Sequence, residues 1–136
     1  MKLLSNRILK AGSALILFLL LWGVGCKEDP PLRDKYLGSF KVHEYCDGDE
    51  ADYTITIIPS GASENAVNVT NIWNTGQTVS GEVVTSTGNL VIKYQSCDGF
   101  KISGGGWVAE NQLNFNVTIF PDGGGYFDCT ITGNRI

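Results

Sequence analysis

A single histidine, no helical periodicity and no apolar run long enough to cross a bilayer narrow this 136-residue sequence before any motif does. The histidine, His43, alternates with core-type residues and is expected outside, beside Lys41, where no serine or cysteine shares an inward site with it. A nucleophile–base pair is therefore not expected. The longest apolar stretch, residues 11–24, has 14 residues, short of the ~20 that a spanning helix needs. Basic residues are few: 10 stand against 14 acidic ones, a net charge of −4. That balance argues against a phosphate-backbone partner, which calls for a basic face, so no nucleic-acid role is expected. Disorder is excluded as well, because 43% hydrophobic and 18% charged residues can bury a core.

What the chain does have is glycine, threonine and short β-branched runs. Its 17 glycines and ten threonines tilt the class to all-β. Eight alternating segments are expected at 36–45, 52–58, 66–73, 78–86, 90–95, 100–109, 113–120 and 126–132, each bounded by turn residues such as Asp47-Gly48, Pro59-Ser60-Gly61 and Thr87-Gly88-Asn89. One parity is strongly apolar in nearly every segment, from Phe40 and Val42 through Tyr53, Ile55 and Ile57, Val69 and Trp73, Leu90, Ile92 and Tyr94, to Phe115, Val117 and Ile131. The other carries Lys41, His43, Thr54, Lys93, Asn114 and Thr130. One dry and one wet face is the signature of antiparallel strands. Eight hairpin-joined strands can close without an edge, so a small up-and-down barrel is preferred to a sandwich. Gly104 and Gly106 fall on the inward parity, where missing side chains permit a sharp bend.

The N-terminus reads as an address. Lys2, Arg7 and Lys10 precede the apolar stretch, which stops at Gly23-Val24-Gly25-Cys26. Small residues followed by cysteine resemble a bacterial lipobox, with Gly23 where that pattern prefers leucine; the resemblance implies that Cys26 is acylated and becomes the new N-terminus. An ordinary secretory signal, with Cys26 as a structural cysteine, is the alternative. Lys27-Glu28-Asp29 is similar to the lysine-plus-two-acids export tag that follows the lipid cysteine in Bacteroidota-type lipoproteins. It implies the bacterial outer membrane, facing outward, with the acyl chains as anchor. Residues 1–25 are then signal peptide, 26–35 a lipidated tether stiffened by Pro30-Pro31, and 36–136 the barrel domain. Removing the signal takes three basic residues and no acidic ones, which leaves a net charge of −7.

The runs Tyr36–Gly38, Ile102–Trp107, Asn111–Ile119 and Phe127–Gly133 resemble the small lipocalin-like barrel lipoproteins of the Bacteroidota type. The resemblance implies a lipidated eight-stranded barrel and supplies no chemistry. Of the remaining cysteines, Cys46 and Cys129 share the inward parity on the first and last strands, which are neighbours in a closed barrel. They are the expected disulfide, in an oxidising compartment. That placement also matches the family's cysteines. Cys97 is out of phase and remains a free thiol or a rival partner for Cys46.

Asp47, Asp49, Glu50 and Asp52 crowd one turn, but Ala51 and Asp52 stand where a calcium loop needs an acid and a glycine. A solvated turn is expected, with no metal and no cofactor. The sequons at Asn68 and Asn116 have meaning only in a eukaryotic secretory pathway.

The function expected is a non-catalytic surface interaction or accessory module for an unknown protein or glycan, using Tyr45, Ile58 and above all Trp107. A carrier of a small apolar ligand is the alternative, and an inhibitor of a secreted enzyme a third reading.

Overall fold

The structure is a computed structural model that describes residues 25–136. The expected signal peptide, save Gly25, lies outside the described residues. Eight strands follow one another as β1 (Gly38–Cys46), β2 (Asp49–Pro59), β3 (Ala66–Thr70), β4 (Thr78–Val83), β5 (Leu90–Cys97), β6 (Phe100–Ala109), β7 (Gln112–Pro121) and β8 (Phe127–Arg135). Each pairs antiparallel with the next, and β1 pairs with β8, which closes the up-and-down barrel. Closure follows from the alternation: every strand has an apolar face to bury, and joining the ends satisfies the last row of backbone groups.

The expected inward parity fills the interior. Phe40, Ile55, Leu113, Phe115, Ile119 and Ile131 are fully buried and meet at the barrel axis. Two residues depart from it. Tyr94, expected inside, is 61% exposed. The cause is a β-bulge: Ile92 faces Gly104 and Gln95 faces Ile102, so Lys93 and Tyr94 together oppose Ser103. The extra residue flips the parity of the rest of β5 and turns Cys97 against the core. Trp73 is the second. β3 stops at Thr70, and Trp73 belongs to a short 3₁₀ turn, Ile72–Asn74, with Ile72 taking the buried place. The triple glycine lets β6 pass tightly between its neighbours: a Cβ on Gly105 would stand 2.2 Å from the Leu90 carbonyl oxygen, and one on Gly106 would stand 1.8 Å from that of Asn114.

The two ends of the barrel differ. At the end where the tether arrives, a 3₁₀ turn at Leu32–Tyr36 forms a plug, so the last tether residues belong to the fold. Tyr36 is fully buried and its hydroxyl donates to the Gly88 carbonyl oxygen at 2.7 Å. Arg33 Nη1 donates to the carbonyl oxygens of Ser60, Ser63 and Ala66, each at 2.9 Å. Arg135 donates to those of Leu37 and Lys35 and lies over the Phe40 ring. The other end is formed by the β1–β2, β3–β4, β5–β6 and β7–β8 turns.

Closure is uneven around the barrel. β4 and β5 share only two paired positions, Glu82 with Val91 and Val83 with Leu90. Beyond them, two glutamine amides stand in for the ladder. Gln95 accepts from the Ser80 N–H at 2.9 Å and donates to the Ser80 carbonyl at 2.8 Å. Gln77 donates to the Asp98 carbonyl at 2.6 Å and accepts from the Asp98 N–H at 2.7 Å.

Candidate functional site

The expected disulfide is present: Cys46 and Cys129 face each other across β1 and β8, with a Cα–Cα distance of 4.3 Å and a sequence separation of 83. It seals the barrel at the turn end. Cys97 is a free thiol, and burial raises its pKa, which keeps it protonated and slow to react.

Beside Cys46 lies a feature the apolar reading passed over. Glu44 sits on the inward parity of β1, between Val42 and Cys46, and only 5% of it is exposed. A buried carboxylate needs partners. Tyr53, two positions before Ile55 on β2, donates its hydroxyl to Glu44 Oε2 at 2.5 Å. The same hydroxyl oxygen accepts the Trp73 backbone N–H at 3.2 Å. A short relay thus runs from the β3–β4 turn through Tyr53 to the carboxylate. Burial raises the Glu44 pKa, and the Tyr53 hydrogen bond opposes that rise. Burial, then the Glu44 carboxylate, pushes the Tyr53 hydroxyl far above its ordinary range, so it stays a donor.

The backbone at Trp73 is strained. Its φ of 55° and ψ of 26° are left-handed, a rare conformation for a bulky aromatic, and Asn71 and Asn74 flank it at φ 70° and 52°. The turn is held from outside, where Asn71 donates to the Thr54 carbonyl and accepts the Gly76 N–H. It carries the Trp73 indole across the barrel end, edge-on to Phe100 at 5.1 Å and tilted against Phe127 at 6.5 Å. Between these groups is a cavity of about 170 Å³ lined by Glu44, Cys46, Asp49, Glu50, Ala51, Trp73 and Phe127. Strain of this kind costs about 1–3 kcal/mol and persists where neighbouring contacts impose it.

The other expected residues are placed as follows. Trp107 is on the outer face and 44% exposed, and Tyr45 and Ile58 are exposed there too. His43 is outside too, with Nδ1 at 2.9 Å from Asp52 Oδ1 and Nε2 at 3.8 Å from Glu50 Oε2. The Asp52 hydrogen bond raises its pKa. Two of the four turn acids are therefore engaged by an imidazole. Cys26, Lys27, Glu28 and Asp29 are exposed, ahead of the first contacts with the barrel. The bulge adds an outer aromatic group that parity did not foresee: Tyr94 stands edge-on to Phe120 at 5.5 Å, and Tyr126 lies 6.4 Å from Phe120. A larger cleft, about 250 Å³, runs outside the β4–β5 seam beneath the β2–β3 loop. Its charged groups, Glu82 and Lys93, are exposed and face each other at 3.9 Å, so it offers no desolvated group to a ligand.

No family model and no curated protein matches this chain. Among solved structures, a redesigned β-barrel is similar to it, with a TM-score of 0.52 and 19% identity over 81% of this chain and 99% of the other. That likeness concerns the fold alone: the chain is an eight-stranded antiparallel up-and-down β-barrel.

Proposed function

We propose that the protein is a non-catalytic binding module, anchored through acylated Cys26 to the outer face of a bacterial outer membrane and working through its turn end and outer surface. The observation that carries this reading is the division between a filled interior and an aromatic, partly strained turn end. Buried side chains from all eight strands point to the axis, which leaves little room for a small apolar ligand, whose typical pocket takes ~300 Å³ or more. The groups left to meet a partner are Trp73 and the cavity beneath it, and outside them Trp107 and the Tyr94–Phe120–Tyr126 group. Exposed aromatics are a common means of contact with proteins and glycans.

Among the described residues the turn end offers little for a reaction: Glu44 has a tyrosine whose proton is held firmly, and no nucleophile or second buried carboxylate joins it inside. The lipobox-like ending at Cys26 and the Lys27-Glu28-Asp29 tag support the anchor and its orientation. Metabolic labelling with an acyl probe, in wild type and Cys26→Ala, tests the anchor; label lost in the variant is expected, and equal labelling or none refutes it. Protease shaving of intact cells tests the outward orientation separately. Replacing Lys27-Glu28-Asp29 with alanines should leave acylation intact and remove the protein from the shaved fraction.

A further inference from the structure

We propose that the cavity at the turn end is a binding site for a small organic ammonium ion, with Glu44 as its counter-charge and Trp73 and Phe127 as its walls. The inference rests on reading the turn end as the working surface and is independent of the anchor.

Glu44 is the one buried charged side chain among the described residues, and it lines a cavity. Oε2 is taken by Tyr53 at 2.5 Å, while Oε1 has no hydrogen-bond partner among the described residues and stays open to solvent through the cavity. A carboxylate that is mostly buried and reaches water only through the cavity keeps few waters for a ligand to displace. A donor that brings its own positive charge gains most there, because charge-assisted hydrogen bonds are about twice as strong as neutral ones. An N–H-bearing ammonium supplies both the charge and the proton.

The surroundings select the same chemistry. Asp49 and Glu50 line the same cavity and are exposed, so the approach to Glu44 is negative and draws cations while repelling anions. The Trp73 and Phe127 rings offer electron-rich faces, which attract a cation and accept its alkyl part. The cavity opens to solvent, so its size limits only the part of a ligand it holds: at about 30 Å³ for each water-sized group, 170 Å³ takes an ammonium group with a short alkyl part. The left-handed Trp73 also gains a reason, since that turn brings the indole to the cavity wall and sets the Trp73 backbone N–H on the Tyr53 hydroxyl oxygen.

The test uses n-butylamine, with n-butanol as its neutral counterpart of equal length. Both are titrated at neutral pH into the full chain in nonionic detergent, at constant ionic strength, and binding is read by calorimetry and by the Trp73 indole N–H resonance. Saturable one-to-one binding of butylamine is expected, at least tenfold tighter than that of butanol, with the Trp73 signal shifting. Glu44→Gln preserves the shape and the Tyr53 hydrogen bond and should weaken butylamine at least tenfold. Asp34→Asn, which removes a charge at the opposite end, should leave it within twofold.

Equal binding of butylamine and butanol would mean an apolar pocket and overturn the proposal. So would unchanged affinity in Glu44→Gln, or displacement of butylamine by millimolar calcium, which would make the site a metal site. Absence of saturable butylamine binding also overturns it. If Glu44→Gln does not fold, the comparison of the two probes on wild type still decides. Failure here with Cys26 acylated leaves the anchored-module reading standing and removes only the ligand class.

Discussion

Replacing Gln95 with alanine should loosen the barrel at one seam and leave the rest of the fold in place. In most of the sheet, backbone N–H and carbonyl groups pair directly, but β4 and β5 meet at only two positions. Gln95 restores the pairing by presenting a side-chain amide to both backbone groups of Ser80, at 2.9 and 2.8 Å. An intramolecular hydrogen bond contributes about 0.5–1.5 kcal/mol net. Both bonds are accessible to water, which can replace the lost partner, so the low end applies and the pair is worth about 1–1.5 kcal/mol. For a domain of this size that is about 5–8 °C in Tm.

The assay is urea denaturation of wild type, Gln95→Ala, Gln77→Ala and the double variant. An unchanged m-value with a lower midpoint is expected. The double variant should lose about 2–3 kcal/mol. Hydrogen exchange gives the local readout, with the Ser80 amide losing protection in Gln95→Ala and the Asp98 amide in Gln77→Ala. A Gln95→Ala midpoint indistinguishable from wild type, with the Ser80 amide still protected, would refute the idea that a side chain completes this seam.

Three further outcomes are expected. Cys46→Ser/Cys129→Ser should cost about 4.5 kcal/mol by chain entropy for a loop of 83 residues, read as a fall in Tm of about 20 °C that reductant reproduces in wild type. Arg33→Ala should cost about 2–3 kcal/mol, because three carbonyl oxygens lose a charged donor, and should raise exchange in residues 60–66. Glu44→Gln should flatten the pH dependence of stability. Burial raises the Glu44 pKa above 4.5 in the folded chain, so the native state holds this proton to higher pH than the unfolded one, and stability falls as pH rises from about 4.5 through the folded value. Denaturation midpoints between pH 4 and 7 should show that fall in wild type and lose it in the variant.

The barrel was legible because one face of each strand had to be dry, which imposes a period of two that residues cannot hide. Cys46 and Cys129 followed from the same count, since closure makes the first and last strands neighbours. Tyr94 and the orientation of Cys97, though not its free thiol, were misread for a physical reason: parity holds only while register does, and the bulge at Lys93 and Tyr94 lies where β5 meets the glycines of β6, a contact no local pattern encodes. Trp73 was counted as a strand residue because left-handed backbone at a tryptophan has no sequence signal. Glu44 was different, for it stood in phase with Phe40, Val42 and Cys46, and a carboxylate on a core parity was a signal available to be read. Its partner Tyr53 was counted by its ring, although its hydroxyl is what Glu44 uses. Gln77 and Gln95 could not be foreseen, because nothing nearby in sequence shows that β4 and β5 part company.

The disulfide joins β1 to β8, and the loop at 84–89 divides the chain into four strands on either side. Residues 84–87 and Asn89 of that loop are exposed, which makes it a natural place for a protease to cut. A single cut there would leave two fragments, one carrying Cys46 and the other Cys129, still covalently joined. The nicked molecule would migrate as one species until a reductant reached it. Reduction would then leave only the shared core and the strand pairing to hold the piece with Cys46 to the piece with Cys129. A nicked molecule would thus be one covalent species under oxidising conditions and two associated pieces under reducing ones.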